Sequence, residues 1–261
     1  MMDQRRDVGR VIFGQDANGS AEWIVLTLAC HVSNVTGLAE MWDVSKVYLN
    51  TGLLNLEATR PKLIRAAQIH DSAKPMKFRL RYRENPFRPG VWQWEYSFAG
   101  HRFEVFDDDP YVQKLARLHH DYSVEGITQG IAELRAAGAL HAENLPLDLY
   151  TLEMCDQIEA TLAQSALGGE PEARVFMDFH IERLNSVRFG IDPFPFKHDQ
   201  VQLTVEYARL HPPAEQIRQA ETGDDSERRQ AEQALAGWLV KILQSEPLET
   251  VEVALCPLVV V

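Results

Sequence analysis

Two runs of alternating residues on either side of a Pro/Gly turn constrain this chain more than any other feature. Phe78, Leu80 and Tyr82 alternate with Lys77, Arg79, Arg81 and Arg83; after NPFRPG, the aromatic residues Trp92, Trp94, Tyr96 and Phe98 take every second position. A period of two puts apolar side chains on one face of a strand and basic ones on the other. Residues 76–106 therefore read as a β-hairpin inserted into a chain whose other patterns are mostly helical. Leu26, Ala29, Cys30, Val35, Leu38 and Met41 recur at near-helical intervals and predict a helix from Glu22 to about Trp42. Thr59 as a cap and Pro61 in the first turn predict a second helix through KLIRAAQIHDSAK, stopping at Pro75. Helical patterns resume at about Pro110 (YVQKLARLHH), over 123–138 and over 147–166, while residues 1–20 read as strand or loop ending in the turn-rich QDANGS.

The character of the chain changes after SALGGEPEAR, which reads as a linker. VFMDFHIE and VQLTVEYA look like strands, 213–244 is mostly helical around the polar ETGDDSE, and VEVALCPLVVV looks like a final strand. The expected fold class is mainly α: a helical core with the inserted hairpin over residues 1–168, and a small α+β appendage over 169–261 that carries no interpretable motif. No GxxxxGK[ST] phosphate loop and no internal repeat is present. With 45% hydrophobic and 25% charged residues, no apolar run near the roughly 18 residues of a membrane span and no signal-peptide core, the chain reads as a cytoplasmic protein without a membrane partner. Cys30, Cys155 and Cys256 are scattered and argue against a disulfide framework. The formal charge of −12 weighs against nucleic-acid binding, which draws on Lys and Arg. A cluster of imidazoles and carboxylates can still make one cleft locally positive once cations are bound.

Such a cluster is suggested by His31, His70, His101, His119 and His120, five of the nine histidines, together with Asp71 and Asp156. Imidazole and carboxylate together suit transition metals and hydrolytic Mg- or Mn-type centres. His70 and Asp71 are adjacent near a helix end; neighbours on a helix point about 100° apart, so the two can serve different sides of a dinuclear centre. His141, His180, His198 and His211 read as surface residues. The basic stripe of Lys77, Arg79, Arg81 and Arg83, with Arg88 beyond the turn, admits two readings. It is either a face that tracks a phosphate backbone beside aromatic stacking platforms, or a solvated face over a Trp/Tyr-rich core.

In their order these residues resemble the HD superfamily, and most closely the HD nuclease domain of the CRISPR-associated nuclease–helicase. LACHVSNVTGLAE matches the lone first histidine, AAQIHDSAKP the HD pair with Lys74 at the family lysine, and FAGHRFEVF the next lone histidine. ARLHHDYS matches the double histidine and LYTLEMCDQIEA the late aspartate, so the likeness spans residues 25–166. Ala73 stands where the family often has glycine, the surroundings of His101 read as strand where the family histidine opens a helix, and no helicase segment is present. The resemblance implies two divalent metal ions (Mn, Co, Ni, Fe or Mg) sharing Asp71. His31, His70, Asp71 and Asp156 would hold one, and Asp71, His101, His119 and His120 the other. Asp71 and Lys74 would be the catalytic residues, with Lys74 offsetting charge on the reacting phosphate. The implied activity is hydrolysis of phosphodiester bonds in single-stranded DNA during CRISPR interference, with a separately encoded helicase or effector complex as partner. An HD phosphohydrolase of nucleotides or cyclic nucleotides, and a non-catalytic subunit of a CRISPR effector, are the two alternatives.

Overall fold

The apolar run Trp23-Ile24-Val25-Leu26 is the middle of a sheet. In the computed structural model, which describes residues 6–49, 54–121, 123–168, 189–191 and 195–256, β1 (Val8–Gln15) and β2 (Ala21–Thr27) pair antiparallel. Between them Asp16 accepts from the backbone of Asn18 and Ser20, and Gly19 takes φ 79°, so QDANGS closes the turn as its composition predicts. The other edge of β2 pairs with β7 (Val201–Leu210), and β8 (Glu249–Leu255) completes the order β1-β2-β7-β8. Residues 23–27 are all buried. A strand flanked on both edges and covered on both faces reads as a continuous apolar run, and β-branched Ile24 and Val25 suit it. This corrects the helix expected from Glu22: α1 (Leu28–Met41) begins six residues later.

The chain divides into two units, each with its own core. One takes in Met1–Cys30, Ala73–His101 and Val205–Thr250; the other takes in His31–Ser72, Arg102–Thr204 and Val251–Val261. The expected division into residues 1–168 and 169–261 therefore differs from the observed one. The first unit contains β1, β2, and the expected hairpin of β4 (Phe78–Glu84) and β5 (Trp92–Phe98), in register from Phe78 opposite Phe98 to Glu84 opposite Trp92. It also contains α6 (Ala214–Thr222) and α7 (Asp225–Ile242), the latter opened by a capping box of Asp224 and Glu227. Its core joins Val8, Val11, Trp23, Leu80 and Phe98 to Ala208, Leu210, Leu235 and Leu239. Residues after 205 thus finish the N-terminal sheet and cover the apolar side of the hairpin, which neither could do alone.

The second unit is the helical one. It holds α1 from His31 on, α2 (Leu56–Ile69), α3 (Pro110–Leu118), α4 (Val124–Ala136) and α5 (Leu145–Ala166). Val35, Leu38, Trp42, Leu63, Ala66, Tyr111, Leu115, Leu134, Leu145, Leu149 and Leu152 form its core. A short antiparallel pair, β3 (Val47–Leu49) with β6 (Phe189–Ile191), accompanies the helices. The α2 boundaries differ from those expected. Asn55 is the residue before the helix, Pro61 lies inside it, and it ends at Ile69 with His70 as the C-cap. Thr59 is no cap; it is buried, and the Asn144 amide donates to its hydroxyl and to the Asn55 carbonyl. Seven α-helices and eight strands stand among the described residues; helices predominate, in part as the mainly-α expectation has it, with the strands gathered in small sheets. VFMDFHIE with His180, most of SALGGEPEAR and the last five residues lie outside the described residues.

Candidate metal centre

In the helical unit, polar residues occupy the apolar stripes of four helices. On α1, His31 is buried in line with Val35, Leu38 and Trp42. The α2 stripe of Leu63, Ala66 and Ala67 continues onto His70, and the α3 stripe of Tyr111, Val112, Leu115 and Ala116 continues onto His119. On α5, Asp156 and Glu159 lie in the series Leu145, Leu149, Leu152, Ala163. A 3.6-residue period carries these side chains inward, and burial of charge is tolerated only where partners await it.

The partners are one another. Asp71, 1% exposed in the turn after α2, sits at the centre. Its Oδ2 is 3.1 Å from His31 Nε2 and 3.4 Å from His70 Nε2, while its Oδ1 is 3.7 Å from His119 Nε2. Asp156 Oδ1 is 3.2 Å from the same His31 nitrogen. The rings of His70 and His119 lie 5.1 Å apart, and His120, exposed, stacks on His119 at 3.9 Å. His31, His70 and Asp71 each bring one ligand atom to within 4.8 Å of the others.

Hydrogen bonds on the far side of each ring fix which nitrogen faces inward. His31 Nδ1–H donates to Glu159 Oε2 at 2.6 Å. His70 Nδ1 faces the Ala67 carbonyl at 2.8 Å, and His119 Nδ1 faces the Ala116 carbonyl. A carbonyl only accepts, so in His70 and His119 Nδ1 carries the proton and Nε2 is left to face Asp71. This is the arrangement that metal-ligating histidines use. His70 Nε2 is fully buried and makes no hydrogen bond. Burial, outweighing the pull of Asp71 and reinforced by His119, drives the His70 imidazole down to about 4 and keeps it neutral near pH 7. Burial would also lower His31, but the carboxylates of Glu159, Asp156 and Asp71 outweigh it and hold that ring well above the usual histidine range. Three buried carboxylates converging on His31, with the orphaned Nε2 of His70 beside them, form a donor set that fits a divalent cation.

His101, Lys74 and the basic stripe belong to the other unit. His101 is buried and opens a short 3-10 turn (His101–Glu104), with Nδ1 facing the Phe98 carbonyl at 2.8 Å. The strand reading of its surroundings is thereby corrected: β5 ends at Phe98, and Gly100 at φ 77° turns the chain. Lys74 begins another 3-10 turn, with Nζ 5.2 Å from the centre of the Phe98 ring. Arg79, Arg81 and Arg83 share the exposed side of β4, Lys77 lies just before the strand, and Arg88 is exposed in the turn. Arg83 pairs with Glu95 across the hairpin. His198 and His211 are exposed and His141 is half-buried. Glu159 was not singled out in the sequence; its one signal is the i+3 spacing from Asp156 on the buried stripe of α5.

Comparison of the chain with protein-family models, with curated proteins and with solved structures returns no match.

Proposed function

We propose that this chain is a metal-dependent hydrolase of phosphodiester bonds, of the HD nuclease type, acting on single-stranded DNA. The observation that carries the reading is the division of the Asp71 carboxylate, one oxygen toward His31 and His70 and the other toward His119. So placed, Asp71 would be the ligand common to both cations. In this reading His31, His70, Asp71 and Asp156 hold one; the resemblance assigns the other to Asp71, His101, His119 and His120. A bound divalent cation supplies a Lewis acid for the phosphoryl group and lowers the pKa of the water that attacks it. The chain's own part is to hold the imidazoles in one tautomer through Glu159, Ala67 and Ala116, and to keep the ligand set buried. The resemblance assigns to Lys74 the fixed positive charge for the reacting phosphate, and to a separately encoded helicase or CRISPR effector complex the delivery of the strand.

The test is cleavage of a labelled single-stranded oligonucleotide with Mn²⁺, Co²⁺ or Ni²⁺ against a chelator control. Wild type should cut only with a cation, and Asp71→Ala should fall to background. Equal cleavage by the variant overturns the assignment. The deep burial of His70 and Asp71 favours one second reading, hydrolysis of small nucleotide esters. That reading gains if nucleotides or cyclic nucleotides turn over and DNA does not.

A further inference from the structure

We propose that the groove between β4 and α7 is a binding site for the phosphate backbone of single-stranded DNA, built from Arg79, Arg81, Arg228 and Arg229. The groove encloses about 900 Å³. Four guanidiniums line it against two carboxylates, Asp225 and Glu232, in a chain whose net charge is −12. Both carboxylates are already engaged: Asp225 with Arg228 at 3.0 Å, and Glu232 with the Tyr82 backbone N–H at 2.8 Å. Arg79, Arg81 and Arg229 are exposed and have no ion-pair partner among the described residues. Three arginines without an ion pair along one groove offer an anion a locally positive site in an otherwise acidic protein. Alternate residues of a strand stand roughly 6–7 Å apart, which lets Arg79 and Arg81 address successive phosphates of an extended chain.

The single-stranded assignment comes from the aromatic residues beside Arg228. Arg228 lies 4.7 Å over the Trp92 ring, Tyr82 is 5.6 Å from the same ring, and Trp92 is 43% exposed. An exposed ring such as Trp92, next to a basic groove, is a platform for an unpaired base, which a duplex does not offer. The basic stripe was legible in the sequence, but its other wall, Arg228 and Arg229, lies some 150 residues away along the chain. The choice of DNA rests on the proposed function; the anion groove itself does not.

The experiment is fluorescence anisotropy with a labelled oligothymidylate, in chelator so that nothing is cut, across a salt series. Wild type should bind with a steep salt dependence. The triple variant Arg79→Ala/Arg81→Ala/Arg229→Ala should bind at least tenfold more weakly at low salt, with the slope of log K against log salt reduced by about 2. Arg218→Ala, exposed and outside the groove, should bind as wild type does. Trp92→Ala should lose about tenfold on the oligonucleotide and nothing on inorganic polyphosphate, which has no bases. No binding by wild type, or equal binding by the folded triple variant, overturns the proposal, and tighter binding of duplex DNA or oligouridylate overturns the strand assigned. Asp71→Ala should bind normally; if it also cleaves as wild type does, the nuclease reading fails while the groove stands.

Discussion

At the scale of single residues, the account turns on polar side chains placed where the helix period demands apolar ones. His31, His70, His119 and Asp156 were legible because imidazoles and a carboxylate interrupt otherwise hydrophobic stripes. Glu159 was not, because a glutamate on a helix ordinarily faces water, and its i+3 spacing from Asp156 is a weak signal by itself. Its role gives a sharp expectation. Glu159→Ala should weaken divalent-cation affinity by about 10- to 100-fold while leaving the fold intact, as read by calorimetric titration and circular dichroism. Glu159→Gln, which can still accept from His31 Nδ1, should recover much of the loss. A second buried carboxylate lies outside the centre. Asp148 accepts from the Tyr111 hydroxyl at 2.7 Å, and its carboxyl is raised to about 6 by burial, against the lowering effect of the Thr59 and Tyr111 hydrogen bonds. A folded-state value above the unfolded one means that the native state binds the proton more tightly. Stability from this group is therefore full at pH values below about 4 and is lost as the pH rises through about 6, by an amount on the order of 2–3 kcal/mol. Asp148→Asn should remove that slope, so its urea midpoint relative to wild type should be higher at pH 7 than at pH 4.5. An equal difference at both pH values would show that Asp148 is not titrating in the native state.

At the scale of elements, helix ends place the ligands. His70 and His119 are C-caps of α2 and α3, so the angle at which each helix meets the core sets where its imidazole falls. The start of α3 is held by Asp109, which accepts from the Tyr111 and Val112 backbone N–H groups and pairs with Lys62 at 3.0 Å. Asp109→Ala should lower unfolding stability by about 1–2 kcal/mol, measured by denaturant titration, the effect of a lost N-cap. The hairpin of β4 and β5 was legible because period two is unambiguous over seven residues a side. β2 was not, because a central strand buried on both faces shows no alternation and its last apolar residue runs directly into the period of α1. The early start of α2 was hidden by Thr59 and Pro61, which look like a helix entrance but here sit inside the helix, with Thr59 drawn into a buried hydrogen-bond network.

At the scale of the whole molecule, the chain keeps two cores that interleave along the sequence. The C-terminal segment completes the N-terminal sheet through β7 and covers the hairpin with α7. Nothing local in residues 205–250 announces that partner, because strand pairing across some 180 residues is decided by which edges remain unsatisfied and not by the pattern of either strand. His31, His70, His119 and Asp156 could be picked out singly nonetheless, since each lies on a helix or at its end. Asp71 and its neighbours are proposed to hold divalent cations, and the decisive experiment is titration calorimetry of Mn²⁺ into purified, chelator-stripped protein. Wild type should show saturable binding and Asp71→Ala, still folded, should show none; absence of binding in wild type, or equal binding in the variant, would contradict the account.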